Sequence, residues 1–385
     1  MKVLYDSQAF DMQTHGGVSR CFVELYKHRP AYIDATIGVV ETDNVYLQEI
    51  GVNPSGTSYQ RFISERDFPL KKFLFKACYN IGYGHPGKWD RRPLLNRFLS
   101  ERLLSKGDYD IFHPTFFDDY FLRYLHGKPF VLTIHDMIPE LYPQYYSSTE
   151  SQIVSKKLLA PKAAHIVAVS EQTKRDVIDI LNIPENKVSV VYHGADSAPY
   201  CPSDCKQDYE YILYVGERHM YKNFIGFCRD CMPILRRHKE LKVVCTGKPF
   251  TSEELFFFEA FGLADRFVHL FAESSQALLD LYHYAVAFVY PSAYEGFGIP
   301  ILEAYKADCP VMLNRASCFP EIAGDAAIYF KMKKDSSDFE EQFETLYHLD
   351  ANERDRIIEK QRKRLELFSW EKSAAELAQV YNKIS

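Results

Sequence analysis

Glu295-Gly-Phe-Gly-Ile-Pro-Ile-Leu-Glu303 sets two carboxylates eight positions apart, with two glycines and a proline between them. The apolar run Val286–Tyr290 precedes it and reads as a buried strand, and an apolar helical pattern follows from Pro300. The stretch therefore predicts a strand–loop–helix unit, with Glu295 in the loop and Glu303 in the first turn of the helix. Pro300 suits a first helical position. The glycines let backbone approach a ligand closely, and a helix N-terminus presents free N–H groups to an anion. In an open α/β sheet, ligands bind outside the carboxyl ends of the strands. Two acids beside an anion site suit a ligand with both hydroxyls and phosphates.

The same alternation extends in both directions. Expected strands are Val3–Tyr5, Thr36–Val40, Ile111–His113, Phe130–Ile134, His165–Val169 and Val188–Val191, with helical patterns between several of them. It restarts with Tyr211–Val215, Leu241–Cys245, Val268–Phe271, Val286–Tyr290, Val311–Leu313 and Ala327–Phe330. Such alternation implies α/β architecture, with parallel sheets covered on both faces. Ser197–Asp208 is rich in Pro, Ser, Cys and Asp and reads as a linker. The expected plan is two doubly wound domains, 1–196 and 209–367, joined by 197–208 and facing each other across a cleft. The tail 368–385 is an amphipathic helix, with Trp370, Ala374, Leu377 and Tyr381 at helical spacing.

A chain of 385 residues, 46% hydrophobic and 25% charged, is ordinary for a globular protein of two or three domains. Aromatic content is high at 15%, which serves cores or carbohydrate-like surfaces. A net charge of −6 argues against a general nucleic-acid partner. No segment approaches the roughly 18 apolar residues of a membrane span. MKVLYDSQAF carries Asp6 and no long apolar core, so it reads as a first strand and not as a signal peptide. Nine cysteines without such a peptide point to reduced thiols in a cytoplasm. Cys201, Cys205, Cys228 and Cys231 form two pairs that zinc would suit. The stronger reading of Cys228 and Cys231 is one side of a helix, and no metal site is expected.

Arg61–Lys106 carries eleven Lys or Arg against four Asp or Glu, interleaved with Phe and Leu. Two readings stand: amphipathic helices with a solvated basic face, or a surface that meets anionic lipid or a lipid-linked diphosphate. His15-Gly16-Gly17-Val18-Ser19-Arg20 follows the first strand and opens a helix, where backbone N–H groups can meet a phosphate or a sugar. It is not a GxGxxG, which lowers a dinucleotide-dependent dehydrogenase. His135 ends a buried strand and is either cleft-facing or a core histidine. Val215-Gly-Glu-Arg-His-Met-Tyr-Lys222-Asn223 offers two cations, Arg218 and Lys222, that would neutralise a diphosphate or else serve as plain surface charge. Ser170 reads as the N-cap of a helix.

Together these stretches resemble the retaining nucleotide-sugar glycosyltransferases of family 4, which have the GT-B fold of two facing Rossmann-like domains. The resemblance covers nearly the whole chain: GGVSR, TIHDMIPELYP, VSEQTKRDV, VVYHGAD, YVGERHMYKN, PSAYEGFGIPILEA, NRASCFPEIAGDAAIYF and FSWEKSA. HDMIPELYP narrows it to enzymes that build bacterial surface polysaccharides. The resemblance implies a donor held by the second domain, an acceptor side in 1–196, and a closing helix, 368–385, packed back on the first domain. It implies that Glu303 accepts hydrogen bonds from the donor ribose and that Glu295 holds the transferred sugar near its 3-hydroxyl. Lys222 would meet the diphosphate with the N–H groups of Gly298 and Ile299, while Gly16 and Gly17 approach it from the other domain. His135 would touch the sugar near its 6-hydroxyl. Many members place an arginine directly after the glycine of the lysine loop; here that residue is Glu217, and Arg218 comes one later.

The implied activity is hexose transfer from a nucleotide diphosphate sugar to a glycan or lipid-linked acceptor, with a lean to mannose from GDP-mannose. UDP-linked glucose, galactose or N-acetylhexosamine remain open. So do a nucleotide-sugar hydrolase or epimerase and a binding protein without turnover. No Asp-x-Asp stands on a suitable loop, so neither a metal nor another cofactor is expected. The expected location is the cytoplasm, peripheral at the inner face of the plasma membrane if the basic segment meets lipid.

Overall fold

The computed structural model describes residues 1–52, 92–196, 198–218, 220–333 and 336–385. Most of Arg61–Lys106 lies outside these residues. The first half contains β1 (Lys2–Tyr5), β2 (Asp34–Ile37), β3 (Ile111–His113), β4 (Val131–Ile134), β5 (His165–Ala168) and β6 (Val188–Val190). The second contains β7 (Tyr211–Tyr214), β8 (Lys242–Cys245), β9 (Phe267–His269), β10 (Ala287–Tyr290), β11 (Val311–Asn314) and β12 (Ile328–Phe330). Every residue of β4, β5, β7, β10 and β11 is buried, which is why these strands read as continuous apolar runs.

Strand β2 falls earlier than the expected Thr36–Val40. Gly38 N–H donates to the Tyr5 carbonyl, and Val39 N–H folds back on Ile37. Val40 and Glu41 then leave the ladder, and their N–H groups donate to Asn96 Oδ1 (2.7 and 3.1 Å). A short antiparallel pair, Met332–Lys333 with Ser336–Ser337, was not anticipated from the sequence.

The second sheet runs β12-β11-β10-β7-β8-β9, all parallel, so strand order reverses between β7 and β10. The first half has β2-β1-β3 and β4-β5-β6, joined by a parallel bridge between Phe112 and Phe130. Its order reverses between β1 and β3. Such reversal points leave a crevice at the carboxyl edge of a sheet.

Four helices bear on the site: α1 (Gly17–Lys27), α2 (Glu171–Leu181), α3 (Ile299–Lys306) and α4 (Trp370–Ile384). Gly298 caps α3 in the left-handed region (φ 98°), a conformation that favours glycine. Ser170 caps α2, its Oγ accepting the Thr173 N–H at 3.0 Å. Helix α4 buries Trp370, Ala374, Leu377 and Tyr381 in one cluster with Phe10, Phe22, Val131 and Val167 of the first half. Its Tyr381 hydroxyl meets Tyr5 Oη (2.8 Å) and His113 Nδ1 (2.6 Å). The irregular stretch after Asp196 is fastened to the second half, because Tyr200 and Ser203 donate to the Asp280 carboxylate at 2.6 Å each.

Candidate functional site

The loops that follow β7 and β10 leave the second sheet at its reversal point. The first ends in a single 3-10 turn, Met220–Lys222, and the Tyr221 carbonyl accepts the Ala293 N–H from the second at 2.8 Å. That bond brings Lys222 to Glu295. Lys222 Nζ lies 2.5 Å from Glu295 Oε1, with side chains only 16% and 10% exposed. The Glu295 backbone is pinned in turn: its carbonyl accepts Ser317 Oγ at 2.7 Å and the Cys318 thiol at 3.2 Å. The Lys222 ammonium also lies over the rings of Tyr221 (5.4 Å) and Tyr290 (5.5 Å).

The first half meets these loops from α1, β4 and α2. A Cβ on Gly17, the first residue of α1, would lie 3.5 Å from Ile299 Cδ1. One turn further, Arg20 Nη1 reaches Glu303 Oε1 at 3.1 Å, and Tyr282 donates to Glu303 Oε2 at 3.3 Å. His135 follows β4 directly. A Cβ on Gly296 would fall 1.8 Å from the His135 carbonyl oxygen, so the two backbones touch only because Gly296 has no side chain. The Gly296 carbonyl accepts Ser170 Oγ at 2.7 Å. The Glu321 carboxylate accepts the first N–H groups of α2, from Glu171 (2.6 Å) and Gln172 (3.2 Å). Tyr294 bonds to Asp176 of α2. Tyr142 of the first half lies 6.1 Å from Tyr221 and 6.3 Å from Tyr294 by ring centroids.

Burial sets the charge of the histidines. His135 is pushed down to about 4, chiefly by burial, with Lys156 adding and Asp136 opposing. His193, stacked on it at 5.8 Å, is pushed down to about 3 by burial, by His135 and by Arg20. Both rings are therefore neutral at physiological pH. His135 Nε2 is buried without a hydrogen-bond partner among the described residues. A buried polar atom of that kind is unfavourable unless something completes it.

The structure thus joins Lys222 to Glu295, Gly17 to Ile299, and Glu303 to Arg20, and it sets Gly16 and Gly298 at the starts of α1 and α3. Glu303 is the fifth residue of α3, in its second turn and not the first, because the helix begins at Ile299. Arg218 is directed elsewhere. Its Nε and Nη2 fork onto Glu254 (2.7 and 3.2 Å), Nη2 also meets the Pro249 carbonyl, and the guanidinium lies between Phe224 and Phe250. Cys228 and Cys231 are buried in the helix Phe224–Arg237, and burial raises their thiols against ionisation as metal ligands. At the described end of the basic segment, Arg92 pairs with Asp43 (2.7 Å), and Arg97 pairs with Glu101 (3.2 Å) and Asp118 (3.1 Å).

Sequence reasoning missed Arg20 as a side chain, although it stands one helical turn after the glycine pair. It read Ser170 only as a cap, and the PEIAG stretch gave no sign that Glu321 reaches α2. Tyr282 carries no sequence signal at all.

A family model described as glycosyl transferases group 1 matches residues 202–364, and one described as glycosyltransferase family 4 matches residues 70–198. The O-antigen chain mannosyltransferase RfbU of Salmonella typhimurium is 27% identical over 198 residues, 51% of this chain and 55% of that protein. The GDP-mannose:cellobiosyl-diphosphopolyprenol alpha-mannosyltransferase of Xanthomonas campestris is 27% identical over 335 residues, 85% of this chain and 82% of that protein. Among solved structures, HepE from Anabaena in complex with UDP-glucose matches with a TM-score of 0.71 at 15% identity, over 100% of both chains. That last likeness is one of fold.

Proposed function

The chain belongs to the family 4 glycosyltransferases and has the GT-B fold, and from that premise we propose that it moves a hexose from a nucleotide diphosphate to a glycan or lipid-linked acceptor of a surface polysaccharide. The proposed donor is GDP-mannose, in line with the relatives named as mannosyltransferases. The observation that carries the reading is the Lys222–Glu295 pair at the reversal point of the second sheet, beside the N-terminus of α3.

In this reading the diphosphate gains negative charge as its bond to the sugar breaks. Lys222 and the first N–H groups of α3, from Gly298 and Ile299, offset that charge without reorganising. The first amides of a helix have no partner within it and are free for this task. Gly16 and Gly17 bring the start of α1 to the same diphosphate. Glu303 receives the ribose diol, and Glu295 receives a sugar hydroxyl once its lysine turns to the phosphates. His135 is neutral and contributes a hydrogen bond to the sugar, not a charge. Attack from the face that the phosphate leaves, with a phosphate oxygen taking the acceptor proton, requires no protein nucleophile and accounts for retention. Arg218 acts by holding the loop of Lys222 through Glu254. No metal enters this scheme.

The enzyme then works in the cytoplasm, at the inner membrane face when its acceptor is lipid-linked. Among the described residues no helix is long and apolar enough to cross a membrane. Contact with anionic lipid through Arg61–Lys106 rests on residues mostly outside those described.

Thermal unfolding with GDP, UDP and their sugar conjugates tests the donor. GDP and GDP-mannose are expected to stabilise by about 2.7 kcal/mol at a hundredfold excess over Kd. A shift with UDP alone would sink the mannose assignment, and no shift with any nucleotide would sink the donor site. Turnover is expected to survive EDTA; a loss restored by Mg²⁺ would refute the metal-free scheme.

A further inference from the structure

We infer that Arg20 is a positioning residue for the nucleotide ribose: it reaches from the first half and fixes the carboxylate of Glu303 in the second, so the nucleotide site is complete only where the halves meet. The inference rests on the reading of Glu303 as the ribose anchor.

A carboxylate offers two oxygens and about four lone-pair positions. In Glu303 one oxygen accepts Arg20 Nη1 at 3.1 Å and the other accepts the Tyr282 hydroxyl at 3.3 Å. The two donors come from opposite sides, Arg20 from α1 and Tyr282 from the helix Ser275–His283. One bond on each oxygen fixes the plane of the group and leaves each oxygen a lone pair for a vicinal diol. Without Arg20 the carboxylate keeps a single tether and rotates about its last bonds, and a diol then pays the entropy of ordering it.

The surroundings favour this geometry. Arg20 stands in the second turn of α1, whose first residue, Gly17, faces the Ile299 side chain at the start of α3, so the two helix starts lie side by side. The Tyr46 hydroxyl lies near Gly16, Arg20 and Glu303. Another acid near Arg20, Asp196, is taken by Lys306 at 2.9 Å. The arginine and glutamate side chains are 29% and 20% exposed, open enough for a ligand to reach and closed enough to keep one arrangement.

The test compares ribonucleotides with their 2′-deoxy forms, GDP with dGDP and UDP with dUDP, by calorimetry on the full chain. Wild type is expected to bind its preferred ribonucleotide at least roughly tenfold more tightly than the deoxy form, as a hydrogen bond to a charged group implies. Arg20→Met, which keeps the aliphatic stem, is expected to bring that ratio within about twofold of unity while dGDP or dUDP binds as before. Arg20→Lys is expected to recover part of the ratio. Equal weakening of ribo and deoxy forms would overturn the inference, since it would mark a phosphate contact or a general structural loss. An unchanged ratio in Arg20→Met would overturn it as well. If wild type binds a nucleotide but shows no ribose preference, the ribose role of Glu303 fails and this inference with it. If no nucleotide binds, the donor-site reading itself is what fails.

Discussion

Three glycines of the site show how far one hydrogen atom can matter. A Cβ on Gly17 meets Ile299 Cδ1 at 3.5 Å, an ordinary contact, whereas one on Gly296 meets the His135 carbonyl at 1.8 Å. At Gly298 the demand is conformational, since φ is 98°. Gly17→Ala is therefore expected to change stability by no more than about 0.5 kcal/mol. Gly296→Ala must push the two halves apart, at a cost on the order of 1–3 kcal/mol for an overpacked contact. It should also move His135 and Glu295 out of line, so turnover should fall by far more than stability suggests. Denaturant melts and turnover of the two variants check this, and equal behaviour would mean that the halves do not meet as described.

At the scale of elements, the strands were legible and their partners across the site were not. A parallel strand covered on both faces must be apolar throughout, so Val131–Ile134 and Ala287–Tyr290 announce themselves. The edge strand β2 is half-exposed, and the turn in which Val39 N–H folds back on Ile37 ends it, so it falls earlier than the expected Thr36–Val40. Lys222 and Glu295 are 73 positions apart, and only the reversal of strand order makes them neighbours. Arg20 and Glu303 are 283 positions apart, and their contact depends on how the halves face each other. Arg218 read as a free cation because Glu254, which also closes the capping box of the helix Ser252–Ala260, lies 36 positions away. Helix α2 gives the clearest case of a cap supplied from elsewhere. Its own Ser170 satisfies one N–H, and Glu321 of the other half satisfies two more. Glu321→Ala is expected to lower stability by about 0.5–2 kcal/mol, the range for losing a cap, with Glu321→Gln intermediate. An unchanged melting midpoint in Glu321→Ala would show that this helix end does not depend on the second half.

For the whole molecule, the meeting place of the first sheet, α4 and the loop of Glu295 is a layer of neutral imidazoles. His113 bonds Tyr381 of α4 and Thr133 of β4. His193 packs against Trp370 of α4 and Phe297 of the loop, and His135 carries the backbone that touches Gly296. Burial holds His113 at about 3, His135 at about 4 and His193 at about 3, all below the ordinary 6.5. Between these values and 6.5 the unfolded chain binds more protons than the folded one, so stability falls as pH drops through that window. Each histidine contributes a slope that approaches about 1.4 kcal/mol per pH unit, and His165 is shifted in the same direction. Above about pH 5 most carboxylates are already ionised, which leaves the interval from 6.5 to 5 to the histidines. Melting midpoints are expected to be flat from pH 8 to 7 and to fall steeply below 6.5. His193→Phe keeps a ring against Phe297 and Trp370 but cannot take up a proton, so its midpoint should fall about a quarter to a third less steeply. A variant as acid-sensitive as wild type would assign the loss to other groups, and a flat profile for wild type would mean that the imidazoles are not buried in the folded protein.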